Sequence, residues 1–129
     1  MKRHPELLQL SREHHGALKL ARNARLAAAS GAGEAVLAAA RQVAAQFPLE
    51  LDPHFLSEEL NLLPLLEKAG EHLLVDRTLA DHGQLRRFAK ILATQPDQET
   101  LASFASLLAD HVRFEERELF EAVQALKPV

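Results

Sequence analysis

Apolar residues recur along the chain at three- and four-residue spacings and nowhere alternate, which selects helix over strand throughout. In the first stretch Leu7, Leu10, Ala17, Leu18, Ala21 and Ala24 share one side of a helix that advances about 100° per residue, with His14 at the centre of that face and His15 turned outward. Pro5 suits the first turn of this helix, and Ser30-Gly31-Ala32-Gly33 breaks the chain after Ala29. A second helical region runs from Glu34 to Lys68. Pro48 and Pro53 lie inside it and each lacks a backbone donor, so a kink or short break is predicted between Phe47 and Pro53. Beyond that point Leu51, Phe55, Glu58, Leu62 and Leu65 share a face, His54 sits on its edge, Pro64 loosens the end and Ala69-Gly70 stops it. The third helix, Glu71 to Ala93, carries Val75, Leu79, His82, Leu85, Ala89 and Leu92 on one side. Thr94-Gln95-Pro96-Asp97 is a turn whose Asp97 can cap a fourth helix reaching Leu126, with Leu101, Phe104, Leu107, Leu108, His111, Glu115 and Leu119 inward. Four amphipathic helices joined by short turns predict an all-α, up-down-up-down antiparallel four-helix bundle.

Composition narrows what such a bundle can do. A chain of 129 residues, 47% hydrophobic, is expected to fold as one domain over residues 1–129. Without cysteine it can form neither a disulfide nor a thiolate metal site, so any metal must be held by His, Asp or Glu. A formal charge of -3 and no run of Lys or Arg give no footprint for nucleic acid. The N-terminus lacks the apolar segment of a secretory signal and no apolar run could span a bilayer, so the expectation is a soluble, cytoplasmic protein with no membrane partner.

The chemistry lies in a repeated motif. His54-Phe-Leu-Ser-Glu58-Glu59 and His111-Val-Arg-Phe-Glu115-Glu116 both read His-x-x-x-Glu-Glu, and positions four apart share a helix face, so each segment can aim an imidazole and a carboxylate at one point. By helical phase the first Glu of each pair points inward and the second is a solvated neighbour. His14 and His82 come inward from the other two helices. Any one of these residues alone reads as an ordinary half-buried core residue. Four imidazoles and two carboxylates in one core are different, because they are costly to bury unless something compensates them. Two carboxylates on facing helices suit bridging of two ions. An imidazole-rich set with carboxylates suits iron, with manganese and zinc as lesser candidates. The metal ligands expected are therefore His14, His54, Glu58, His82, His111 and Glu115, with His15, Glu59 and Glu116 as substitutes if a helix is rotated. His4 and His72 have no carboxylate four residues on and read as surface residues. Phe55, Phe104 and Phe114 read as core packing.

With these residues quoted, a resemblance can be stated. Ser11-Arg-Glu-His14-His-Gly-Ala-Leu, Pro53-His54-Phe-Leu-Ser-Glu58-Glu-Leu-Asn-Leu-Leu-Pro64, Asp81-His82-Gly-Gln-Leu-Arg-Arg and His111-Val-Arg-Phe-Glu115-Glu-Arg-Glu-Leu-Phe120 together resemble the hemerythrin-like (HHE cation-binding) domain, in order and over nearly the whole chain. The resemblance implies a non-haem di-iron centre, oxo- or hydroxo-bridged and bridged also by Glu58 and Glu115. Such a centre meets dioxygen, nitric oxide or peroxide, or senses iron.

Two departures from the oxygen carriers of that family matter. They have a His-x-x-x-His pair on the third helix, whereas the positions four away from His82 are Thr78 and Arg86. They also place an Asp five residues after the fourth-helix His, where this chain has Glu116. Fewer protein ligands leave more open coordination, and Arg86 beside the metal would attract an anion, which moves the expectation away from reversible oxygen carriage. A di-iron enzyme that reduces peroxide or nitric oxide or repairs iron centres, and a metal-free helical interaction module, are the competing functions. The partners expected are a small diatomic molecule or peroxide, and a homodimer is possible.

Overall fold

A computed structural model of the protein describes residues 3–127, and every regular element in that span is helical. The elements are α1 (Pro5–Ser30), α2 (Gly33–Gln46), a π-helical turn (Phe47–Leu51), α3 (Asp52–Asn61), α4 (Leu63–Lys68), α5 (His72–Thr94), α6 (Gln98–Phe114), a second π-helical turn (Glu115–Leu119) and α7 (Phe120–Leu126). Without a true break between them, α2, the π-turn and α3 form one rod, as do α6, the second π-turn and α7. The predicted bundle of four helical rods is therefore what the chain builds, as an all-α fold.

The ends follow local chemistry. Pro5 starts α1 and the His4 ring accepts from the Glu6 N–H, while Gly31 closes the helix at a φ of 69°, a left-handed conformation that glycine adopts without steric cost. His4 is thus a half-buried capping residue, its own N–H donating to Gln124, and not the surface residue expected. Asp97 caps α6 as predicted, accepting from the Thr100 N–H at 2.8 Å. Between Phe47 and Pro53, where the prolines predicted a kink or break, the helix instead takes in one extra residue. The Asp52 N–H bonds to the Phe47 carbonyl five residues back, which relieves the crowding around two donor-less prolines without ending the rod. The predicted loosening near Pro64 is a one-residue turn at Leu62.

The core has two apolar layers. One gathers the C-terminal half of α1, α2, the first π-turn, Phe55 of α3, the far half of α5 and α6 as far as Val112 around Phe104, Leu101 and Leu85. The other joins Leu7 and Leu10 to α4, Val75 and the Phe114–Val123 end of the last rod. His14, His54, Glu58, His82, His111 and Glu115 are all buried at the points where the rods pass from one layer to the other. A polar layer is thus clamped between two apolar ones.

Helical phase is corrected at three apolar positions. Leu18 is 41% exposed and Leu20 is buried in its place, while on α5 Leu79 is 47% exposed and Thr78 is fully buried. Real helices wrap the core with a broad stripe, and edge positions read from an ideal wheel fall on either side of it. Leu65 is only half-buried, with Leu63 and Leu66 taking the core positions of α4. Leu20→Ala is therefore expected to cost about 2–5 kcal/mol of stability, and Leu18→Ala to stay within about 0.5 kcal/mol. Urea denaturation of the two variants measures both, and equal losses would mean the first helix is rotated.

Candidate metal centre

The inner atoms of the polar layer converge on the two sides of Glu58 and Glu115. Nε2 of His14 lies 2.8 Å from Oε1 of Glu115, and Nε2 of His111 lies 2.9 Å from the other oxygen, Oε2. Nε2 of His54 is 3.1 Å from Oε2 of Glu58, and Nε2 of His82 is 3.0 Å from its Oε1. The donors fall into two overlapping groups, His14–His54–Glu58–Glu115 and His82–His111–Glu58–Glu115, in each of which the donor atoms lie within 4.8 Å of one another. Both carboxylates belong to both groups, one oxygen to each. All six residues singled out in the sequence are thus brought together, from all four rods. His15 is exposed and takes no part.

Proximity is not satisfaction. Nε2 of His54, His82 and His111, both oxygens of Glu58 and Oε2 of Glu115 are buried without a hydrogen-bond partner of acceptable geometry. Buried polar atoms are nearly always paired, because an unpaired one costs roughly 1–3 kcal/mol. Six in one place are explained by cations: two metal ions, each accepting two imidazole nitrogens and two carboxylate oxygens, would satisfy all of them. The residues present therefore fit a metal pair on their own chemistry, with no thiolate and no backbone carbonyl required.

The outer nitrogens explain how the inner ones are aimed. Each Nδ1–H donates to a carboxylate: His14 to Glu116 at 2.6 Å, His54 to Glu13 at 2.7 Å, His82 to Glu59 at 2.7 Å and His111 to Asp81 at 2.8 Å. Placing the proton on Nδ1 leaves the Nε2 lone pair directed at the centre, the usual support of a metal-bound histidine. Each of these four acids sits beside an inner donor in its own helix, namely His14, Glu58, His82 and Glu115, and serves a histidine on the next one. The order α1 to α3, α3 to α5, α5 to α6 and the second π-turn back to α1 closes a circuit. Glu59 and Glu116, expected as solvated neighbours, are thus half-buried anchors of His82 and His14. Sequence reasoning also missed Glu13 and Asp81, whose signal was an acid directly before each of the two histidines.

Arg86 is corrected in the same way. It does not face the inner donors. Its Nε donates to Asp52 at 2.7 Å and its Nη1 to Glu59 at 2.9 Å, so it fixes the carboxylate behind His82 and ties α5 to the start of α3. Thr78, one of the two positions four residues from His82, donates its hydroxyl to the Leu74 carbonyl at 2.7 Å and offers the centre no donor. Phe55 stacks on the His82 ring at 4.0 Å and Phe120 on the His14 ring at 5.2 Å, which holds both rings in place.

The profile of the hemerythrin HHE cation-binding domain matches residues 7–123. The chain belongs to that family. No match was found among curated proteins or among solved structures. Cation binding by a buried His/Glu layer is accordingly the common ground between this HHE domain and the geometry just described.

Electrostatics of the metal-free layer follow from crowding. Burial disfavours the imidazolium of His54, yet the Glu115 and Glu58 carboxylates outweigh it and push its pKa up to about 11. Burial likewise opposes charging of His111, and Glu115 and Asp81 raise it to about 9. Burial and the neighbouring Glu115 raise Glu58, whereas Glu115, although burial opposes its charge, is held well below the ordinary range by His111, His14 and His54. A histidine whose folded pKa lies above its unfolded 6.5 contributes stability that is complete below 6.5 and lost as pH rises through the folded value. Metal binding has the opposite sense, since it requires neutral imidazoles and releases protons. Chelator-treated protein is therefore expected to lose urea resistance as pH rises from 6.5 toward 9, while the metal-loaded protein holds or gains it. A metal-free protein that grew more stable over that window would contradict the geometry. Removal of a supporting partner costs metal-bound histidines about 10–100-fold in affinity, so Arg86→Ala is expected to weaken metal binding toward the lower end of that range. Competition with a chelator measures it, and an unchanged affinity would show that Glu59 holds His82 unaided.

Proposed function

We propose that this HHE domain holds two iron ions between its four helical rods, bridged by Glu58 and Glu115, and that it binds or responds to dioxygen, nitric oxide or peroxide, or reports iron and redox state. The observation that carries this is the sharing of both carboxylates by two otherwise separate histidine pairs. Single-ion sites do not need two carboxylates with one oxygen on each side, and a mixed imidazole–carboxylate set suits iron, ahead of manganese and zinc. A bound iron pair supplies one-electron redox chemistry and coordination positions for a small molecule.

The chain's own residues do the rest. His14 and His54 hold one ion position, His82 and His111 the other. The outer acids Glu13, Glu59, Asp81 and Glu116 keep each imidazole in the metal-binding tautomer. Leu62, Phe104, Leu108, Leu119 and Phe120, all nearly or fully buried, line the layers above and below, so the inner donors lie between two apolar layers. Four protein ligands at each position are fewer than an octahedral ion takes, which leaves room for exogenous ligands at both. That economy supports a second reading, an enzyme that reduces peroxide or nitric oxide or restores damaged iron centres, over a pure carrier. A cytoplasmic setting, reducing and supplied with ferrous ions, fits either use.

Protein purified from iron-replete, reducing conditions is expected to contain close to two iron atoms per chain, one for each donor group. Glu58→Ala and Glu115→Ala each remove a donor from both groups and are expected to lose the metal. Glu116→Ala removes only the anchor of His14 and is expected to keep it with about 10–100-fold lower affinity. Elemental analysis of the three variants decides: no transition metal in the parent protein refutes the proposal, and equal loss in all three refutes the division between inner and outer carboxylates.

A further inference from the structure

Three arginines outside the inner donor set repeat one arrangement. Arg86 lies beside Glu59, the acid that accepts from His82, and its guanidinium also sits over the Phe55 ring at 5.7 Å, the ring stacked on His82. Arg3 lies 3.5 Å from Glu116, which accepts from His14, and sits over the Phe120 ring at 5.6 Å, the ring stacked on His14. Arg77 lies 3.6 Å from Asp81, which accepts from His111, and sits over Phe114 at 4.1 Å, whose ring centre is 6.1 Å from that of His111. A guanidinium within about 6 Å of an aromatic centroid is attracted to the ring face. Each arginine thus binds both neighbours of one histidine, the carboxylate on its Nδ1–H and the phenyl against its ring.

Both neighbours are needed to aim an imidazole. A hydrogen bond at Nδ1 fixes the direction of that N–H but lets the ring roll about it, and a phenyl packed on the ring fixes the roll. A planar guanidinium can serve the two at once, because it offers several donors at its edge and a flat face to an aromatic ring. Arg3 has a further hold. In an α-helix the Glu116 carbonyl would accept from the Phe120 N–H, but in the second π-turn that N–H goes to Glu115. Nη2 of Arg3 donates to the Glu116 carbonyl at 3.1 Å in its place, so the residue that anchors His14 is held by its backbone as well as its side chain.

His54 is the exception. Glu13 accepts from it at 2.7 Å, yet no Lys or Arg lies within ion-pair distance of Glu13 among the described residues, and Phe55 meets the His54 ring edge-on at 6.1 Å. Glu13 and His54 also line a cavity of about 630 Å³ in the gap between α1 and α3. The centre therefore carries its own comparison, one histidine held by an acid without an arginine behind it.

We propose that Arg3, Arg77 and Arg86 are positioning residues of the centre, each setting both the Nδ1–H direction and the ring plane of one histidine: His14, His111 and His82 in turn. Charge alone predicts the opposite effect on metal binding. An arginine beside a carboxylate offsets negative charge that attracts a cation, so its removal would tighten binding through charge and weaken it through lost positioning.

Arg3→Met and Arg77→Met test it in the full chain. Their side chains are 21% and 47% exposed, and methionine keeps the apolar stem, so both variants are expected to fold. Each is expected to lower metal affinity about tenfold in chelator competition. Arg3→Lys and Arg77→Lys keep the charge without the planar fork and should not restore it. Nitrogen-15 NMR of the four Nδ1–H groups, in zinc-loaded and in metal-free protein, gives a readout that a general loss of stability would not move. The His14 signal is expected to shift most in Arg3→Met and the His111 signal most in Arg77→Met, with His54 least affected in Arg77→Met. Arg41→Met, an exposed site on α2, is the control and should leave all four in place. Unchanged or tighter metal binding in either methionine variant, full recovery with lysine, or equal displacement of all four signals overturns the proposal. The affinity readout rests on the function proposed above. Protein that takes up no metal refutes that function, and the ring signals of the metal-free protein then decide the arginines.

Discussion

The structure depends on placing six polar donors where an apolar core would ordinarily close. Each rod gives up core positions to His14, His54 and Glu58, His82, or His111 and Glu115, and apart from the His14–Glu115 contact the inner atoms face one another without completing hydrogen bonds. Left alone, such a layer is crowded electrostatically: burial and Glu115 raise Glu58, His111, His14 and His54 hold Glu115 low, and three histidines are pushed toward imidazolium by carboxylates they cannot fully pair with. Cations at the two donor groups remove both problems together, by pairing the oxygens and by neutralising the imidazoles. The two apolar layers then act as the walls that make this compensation worthwhile, since a polar layer open to water would have no need of it.

The circuit of outer acids turns this layer into a cooperative unit. Because each rod holds its neighbour's histidine, no helix can rotate without releasing one ring and misplacing another. Glu13 leaves His54 if α1 turns, and His14 leaves Glu116 by the same movement. The carboxylate–imidazole contacts therefore fix helical phase in a region where apolar contacts, being non-directional, would allow it to drift. The second π-turn belongs to this account. It begins at Glu115, and the Phe120 N–H reaches back five residues to the Glu115 carbonyl. An extra residue there lets Leu119 and Phe120 both enter the lower layer while Glu115 and Glu116 keep their separate duties above it.

Most of the bundle could be read from periodicity because amphipathic helices announce their faces every three or four residues. The inner donors were readable for the same reason: His54 and Glu58, like His111 and Glu115, are one turn apart on faces that are otherwise apolar. The outer acids were not. A Glu next to an inward residue lies about 100° away on the wheel, which looks like solvent when one helix is considered alone. It is the neighbouring helix, at a distance the sequence does not encode, that supplies the histidine and makes Glu59 and Glu116 structural. Arg86 failed to be placed for a related reason. Its spacing from His82 puts it on the same face, but a long side chain can pass the centre and end on Asp52 and Glu59. The π-turns were half visible: prolines marked the first, and nothing in Glu115–Leu119 marked the second.

Charge explains why the centre has one sensitive side. Two inner and four outer carboxylates surround the two donor groups, and Arg3, Arg77 and Arg86 stand beside three of the outer ones. The balance is uneven in space. On the His82 side both acids have an arginine beside them, Arg77 at Asp81 and Arg86 at Glu59, and Phe55 stacks on the His82 ring. The His54 side keeps a partly exposed Glu13 with no arginine beside it among the described residues and opens onto the α1–α3 gap. Two ion positions with identical donor sets are thereby made chemically unequal by what stands behind their histidines.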